Sequence, residues 1–135
     1  MSGSPAGIRS RHGGVVSRRL FVTIEVRKRR GICIVDCSGR MTLGGGDIAL
    51  MKEFKRILEI GERRFVLNMT GLQYMDSAGV GATVACAKRA ADRGGVIKIV
   101  MPPEGVVRRI FLVTCLDKAF EIFTDEDAAI ASFKG

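Results

Sequence analysis

Hydrophobic and polar side chains alternate along residues 20–27: Val22, Ile24 and Val26 point one way, Thr23, Glu25 and Arg27 the other. A period of two predicts a half-exposed strand. The charged stretch 28–31 ends in glycine and reads as a turn, so the next strand, 32–38, is expected to return antiparallel. Its two faces carry Cys33, Val35 and Cys37 on one side and Ile32, Ile34 and Asp36 on the other. A glycine-rich loop is expected over 39–46, followed by a helix from an Asp47 cap to Ile60. In that helix Leu50, Met51, Phe54, Ile57 and Leu58 recur at helical spacing. Lys52, Glu53, Lys55 and Arg56 are expected to face outward, and Gly61 to end the helix.

Residues 65–69 have few polar interruptions and predict a central strand. A short loop then leads to Asp76-Ser77, which opens a helix to about Asp92 with Val80, Val84, Ala87 and Ala91 on its apolar face. Gly94-Gly95 ends that helix, 96–101 is a strand, and Pro102-Pro103 stops it. A helix over 104–114, a short strand over 120–123 and a final helix capped by Asp125 complete the chain. The order β-β-α-β-α-β-α-β-α predicts a single α/β domain: a mixed sheet with parallel crossovers and helices mainly on one face.

The formal charge of +8 is unevenly placed. Residues 1–20 contain Arg9, Arg11, Arg18 and Arg19 and no acid, and Arg27, Lys28, Arg29 and Arg30 stand against Glu25 alone. From Gly31 onward 14 basic residues meet 13 acids. The basicity therefore sits at one end, which is a poor footprint for direct nucleic-acid binding. Residues 1–19, rich in Ser, Gly and Arg and without periodicity, are expected to form a disordered basic tail, with the domain over 20–135. A transit peptide lacks its amphipathic pattern here, a secretory signal lacks its apolar core, and a mis-assigned start codon is a third reading. No apolar run reaches the roughly 18 residues of a membrane span. Cys33, Cys37, Cys86 and Cys115 lie in apolar patterns without CxxC spacing, and the one histidine, His12, is in the tail. Buried thiols in a reducing cytoplasm are expected, with no metal.

Nucleophilic catalysis needs a nucleophile, a base and an orienting group. The folded part lacks histidine, and neither a GxxxxGK[ST] loop nor dinucleotide spacing around Leu43-Gly44-Gly45-Gly46 is present. Capping and loop solvation account for Asp36, Asp47 and Asp76 without paired-carboxylate chemistry. The reading is a binding protein with no cofactor. Ser77 is its focus: a hydroxyl at a helix start lies near unsatisfied N–H groups and the positive end of the dipole, where an added anion is tolerated. Gly79 and Gly81 beside it each cost about 1 kcal/mol relative to alanine in a helix. Either they let another molecule approach the helix start, or they pack closely on a neighbouring strand.

Three stretches resemble the STAS domain family, specifically bacterial anti-sigma-factor antagonists. FVLNMTGLQYMDSAGVG, 65–81, is similar to the family's strand–loop–DS[ST]G–helix signature; Gly39 is followed by a loop and helix; and LDKAFEIFTDEDAAIASF, 116–133, is similar to its closing strand and helix. The resemblance covers about residue 20 to the end. It implies a STAS-like fold and partner switching: binding of an anti-sigma factor that is also a serine kinase, release of a sigma factor, phosphorylation at Ser77 and reversal by a PP2C-type phosphatase. ATP would belong to the kinase. The implied partner-binding residues are Asp76, Ser77, Ala78, Gly79 and Gly81, with Arg40 and Thr42 from the loop after Gly39. A monomer or weak dimer is expected.

The chain departs from the family pattern at two places. Ala78 stands where Ser or Thr is frequent, and Arg40-Met41-Thr42 replaces an acidic GELD-like pair, reversing charge in a partner-contacting loop. Two alternatives stay open. One is a non-catalytic STAS scaffold, or an accessory protein of a transporter or sensor, whose Ser77 is not phosphorylated. The other is a nucleotide-binding or enzymatic module, most of which an absence of heat on titration with ATP and GTP would dispose of.

Overall fold

A computed structural model describes residues 7–9, 15–17 and 22–133. Strands β1 (Gly7–Arg9), β2 (Val15–Ser17), β3 (Val22–Arg29) and β4 (Ile32–Met41) come first, followed by helix α1 (Gly46–Glu59). Then β5 (Arg64–Met75), α2 (Ser77–Asp92), β6 (Val96–Val100), α3 (Val106–Val113) and α4 (Leu116–Ala119) alternate, and β7 (Ile122–Phe123) and α5 (Glu126–Ala131) close the chain. The sheet runs β1-β2-β3-β4-β5-β6-β7 in chain order. Pairing is antiparallel up to β4 and parallel from β4 to β7. Strands β3 to β7 form the mixed sheet that the alternation of elements predicts.

The segment expected to be structureless contributes β1 and β2, which extend the sheet beyond β3 only at Val22 and Thr23. Such pairing uses backbone groups and leaves little trace in side-chain pattern. The rest of that segment lies outside the described residues.

The two-faced pattern of β4 holds. Cys33, Val35 and Cys37 join the main core beneath α1, α2 and α3, with Phe54 and Phe65 in ring contact at 4.6 Å. Ile32, Ile34, Val66 and Val100 form a smaller core under Ala129 and Ile130 of α5. Above that second core, Glu126 accepts hydrogen bonds from Arg27, Arg29 and Asn68, and Arg27 also donates to Asp36. Lys98, almost buried, donates to Ser132 at the other end of α5 and lies 4.4 Å from the Phe133 ring centre. Asp125 caps α5 by accepting from the Ala128 N–H, as expected.

Several local expectations need correction. Residues 39–41 are strand, not loop, and β5 runs on to Met75 where a turn after Met69 was expected. The extensions pair with each other: register shifts between Asp36 and Ser38 and between Gly39 and Arg40 keep Arg40 opposite Tyr74 and Met41 opposite Met75. The cap of α1 is Gly45, not Asp47, whose carboxylate instead accepts from the Gly45 N–H. Glu53 is buried and ion-paired to Arg56 on the same helix, not solvated. In α2 the buried positions are Gly79, Ala82, Thr83, Cys86 and Ala90; Val80, Val84 and Ala87 flank the core and Ala91 is exposed. Small residues win the contact because α2 lies close to the sheet, and Thr83 satisfies its hydroxyl on the Gly79 carbonyl at 2.9 Å. Cys115 is exposed, in a left-handed conformation (φ 61°) between α3 and α4.

Candidate functional site

The site lies where β4 and β5 end and α1 and α2 begin. Met41, fully buried at the end of β4, is the common point. Its carbonyl accepts from the Asp76 N–H at 3.2 Å. A methyl group added at Gly46 would stand 2.6 Å from the Met41 Cα, and one at Gly79 would stand 2.5 Å from the Met41 oxygen. Both helices can start against this strand end only because neither has a side chain there.

Asp76 caps α2. Its Oδ1 accepts from the Ala78 and Gly79 N–H groups, each at 3.0 Å, and its Oδ2 accepts from the Leu43 N–H at 3.0 Å. Partial burial pushes this carboxyl upward, but the hydrogen bonds from Leu43, Gly79 and Ala78 outweigh it and hold Asp76 below the usual carboxylate range. One side chain therefore closes the helix start and ties the β4–α1 loop to it.

Ser77 is the first residue of α2, and it is exposed. Its hydroxyl thus stands in solvent beside N–H groups that Asp76 already engages. Ala78 is half-buried behind it. The two glycines that sequence reasoning treated alike separate here. Gly79 is a packing residue, whereas a methyl group at Gly81 would meet nothing within 4 Å. Thr42 is half-buried and its carbonyl accepts from the Gly45 and Asp47 N–H groups. Arg40 does not join this group. It alternates with the core residue Met41, so it points to the opposite face of the sheet, where its guanidinium lies 4.6 Å from the Tyr74 ring centre.

Two apolar residues to which the sequence reading gave no site role are exposed in the loop before α1 and in its first turn. Leu43 is 77% exposed and Ile48, in the first turn of α1, is 55% exposed. Ile48 carried a readable signal, since it falls outside the stripe of Leu50, Phe54 and Ile57. Leu43 had none, because exposure in a loop depends on how Asp76 holds it.

The remaining chemistry is quiet. Burial pushes the Cys33 and Cys86 thiols up to about 12 and Cys37 higher still. Among the described residues no group of three or more His, Cys, Asp or Glu side chains could hold a metal ion, and no helix is long and apolar enough to cross a membrane.

Comparison with known proteins agrees with this geometry. The STAS domain family matches residues 23–129. The anti-sigma F factor antagonist of Paenibacillus polymyxa is 29% identical over 113 residues, which span 82% of this chain and 94% of the relative. An anti-sigma factor antagonist from Mycobacterium paratuberculosis has a similar fold, with a TM-score of 0.74 at 21% identity over 82% of this chain and 92% of that one. The Bacillus cell fate determinant SpoIIAA in its phosphorylated form superimposes with a TM-score of 0.63 at 18% identity, over 83% of this chain and all (100%) of that one.

Proposed function

The chain belongs to the STAS domain family, and from that membership we propose that it is an anti-sigma-factor antagonist whose binding is switched off by phosphorylation of Ser77. In this reading the domain covers residues 20–135, acts in the cytoplasm without catalysis of its own, and carries residues 1–19 as a basic appendage. Its partners are an anti-sigma factor with serine kinase activity and a PP2C-type phosphatase.

The observation that carries the reading is the exposed Ser77 hydroxyl at the first position of α2, backed by a cap that does not depend on it. A kinase can reach this oxygen without unfolding anything. A phosphate there adds about −1.5 to −2 charge. The nearby N–H groups of Ala78 and Gly79 are held by Asp76, so the new charge stays at the surface, where it alters binding and not the fold. The name of the Paenibacillus relative, and the phosphorylated form of the Bacillus protein of the same fold, support the same role.

The test uses the serine kinase encoded nearest the gene. Purified protein is incubated with that kinase and ATP, phosphate is mapped by mass spectrometry, and capture of the kinase is compared for wild type, Ser77→Ala and Ser77→Asp. The expected result is phosphate at Ser77 and loss of capture by Ser77→Asp. An unmodified Ser77 together with undiminished capture by Ser77→Asp overturns the proposal and favours the scaffold or transporter-accessory role.

A further inference from the structure

The end of the domain opposite Ser77 is built from three chain reversals. Strand β3 ends there, β4, β5 and β6 start there, and α1 and α2 finish there. Strand β5 is 12 residues long, which puts this end roughly 35 Å from Ser77. The links touch one another. A methyl group at Gly31, in the β3–β4 turn, would stand 3.2 Å from the Arg64 Nη2. Arg64 opens β5 opposite Val96 of β6, and the Val96 N–H donates to the Arg63 carbonyl at 2.8 Å. From β4 to β6 this end measures about 10 Å across the sheet.

Two apolar side chains stand in solvent here: Ile60, 66% exposed, and Val96, 48% exposed. Ile60 also borders an open depression of about 200 Å³ that buried Val26, Cys33 and Ile57 line from below. Arg30, Arg64 and Arg93 are exposed, and among the described residues none of them is held in an ion pair. Their neighbours Lys28 and Arg29 are engaged, Lys28 by Glu62 and Arg29 by Glu126 and Asp127. The exposed acids Glu59 and Asp92 line a second depression, in which Lys55, Arg89 and Arg93 outnumber them. A cation at Arg93 suits the end of α2. Arg30 and Arg64 sit on a turn and a strand start, where no helix end calls for charge.

We infer that this end is a docking surface for an anionic phospholipid membrane. Arg30, Arg64 and Arg93 meet headgroup phosphates, Ile60 and Val96 enter the boundary between headgroups and acyl chains, and the depression beside Ile60 receives an aliphatic segment. Exposed aliphatic side chains set among unpaired arginines match a lipid surface, which offers both chemistries in one plane. A nucleic acid would engage the arginines and leave Ile60 and Val96 without a partner. Residues 28–31, 59–64 and 92–96 also hold no aromatic ring on which a base could stack. The inference does not depend on Ser77 switching. In this orientation Ser77 faces away from the membrane, so a docked molecule keeps that hydroxyl in solvent.

The test is co-sedimentation of the full chain with phosphatidylcholine vesicles prepared with and without phosphatidylglycerol. Binding is expected only where phosphatidylglycerol is present, and it falls as salt is raised from about 50 to about 500 mM. One cation near an anionic surface strengthens binding roughly fivefold, so Arg30→Glu, Arg64→Glu and Arg93→Glu together are expected to weaken it roughly a hundredfold. Ile60→Ser weakens it as well, and being at an exposed position it decides the case should the triple variant unfold, which circular dichroism reports. Residues 1–19 carry arginines of their own. A variant with Arg9, Arg11, Arg18 and Arg19 changed to glutamine is therefore measured alongside, and it is expected to keep the dependence on phosphatidylglycerol and on Ile60. Vesicles bearing a paramagnetic headgroup are expected to broaden the amides of Gly31, Ile60, Arg64 and Val96 and to spare Gly81. Equal binding to both vesicles, loss of binding in the tail variant, undiminished binding by the triple variant and Ile60→Ser, or broadening at Gly81 in place of Val96 overturns the inference. So does capture of RNA or polyglutamate in preference to the vesicles. No kinase or ATP enters these measurements, so their result is read separately from Ser77 phosphorylation.

Discussion

The Asp76 carboxylate and the Leu43 N–H are 3.0 Å apart, although 33 positions separate them in the chain. The same carboxylate caps α2, so the start of that helix and the loop before α1 are one hydrogen-bonded unit. Asp76→Ala removes both functions and is expected to cost about 1–2 kcal/mol in urea denaturation. Asp76→Asn restores the cap, because asparagine is as good a cap as aspartate, but its amide nitrogen turns a donor toward the Leu43 N–H. Hydrogen exchange at Leu43 is therefore expected to stay fast in Asp76→Asn while most of the stability returns. Slow exchange at Leu43 in either variant would show that the loop is held by something else.

Gly79 and Gly81 sit two positions apart on one helix and answer the same substitution with opposite signs. A methyl group at Gly79 meets the Met41 carbonyl and Met75 side chain inside contact distance, and neither the strand end nor the helix can retreat. Gly79→Ala is expected to destabilise by about 1–3 kcal/mol. At Gly81 the added group faces open space, so Gly81→Ala is expected to stabilise by about 0.5–1 kcal/mol through helix propensity. Thermal denaturation of the two variants side by side reads the difference.

That pair also marks where sequence reading stops. From β3 onward, the short α4 apart, the order of strands and helices was legible from alternation and from Gly and Pro punctuation, and Asp76-Ser77 at a helix start was legible from residue type. What separates Gly79 from Gly81 is a strand end 38 residues upstream of Gly79, and local pattern carries no trace of it. The same holds for β4 and β5, whose last residues are strand only because Arg40 finds Tyr74 and Met41 finds Met75. Pattern also misjudged α2, because close approach to the sheet selects small residues and leaves the larger valines at the flanks.

Thiol chemistry offers a test of burial that is independent of stability. The Cys33 and Cys86 thiols are pushed up to about 12 and Cys37 beyond that, so none supplies thiolate at neutral pH, and none is open to a reagent. Cys115 is exposed. Iodoacetamide at pH 8 is expected to modify Cys115 alone in the folded protein and all four cysteines after urea is added, as read by intact mass. Rapid labelling of Cys37 or Cys86 before unfolding would mean that α2 lifts from the sheet.

The clamp over α5 predicts the acid limb of stability. Burial works to raise the Glu126 pKa, but hydrogen bonds from Arg27, Asn68 and Arg29 overcome it and bring it to about 2, against an ordinary value of 4.5. A carboxyl whose folded value is depressed binds its proton more readily in the unfolded chain. Its contribution is thus complete above about 4.5 and is lost as pH falls toward 2. Glu126→Gln removes the charge that Arg27 and Arg29 share while keeping an acceptor. It is expected to lower stability at pH 7 by about 1–3 kcal/mol and to flatten the decline between pH 4.5 and 2. Urea denaturation across that range, for wild type and Glu126→Gln, measures both. Parallel curves would mean that the arginines hold α5 without this carboxylate, and that the apolar contact of Ala129 and Ile130 with Ile34 and Val66 is what seats the helix.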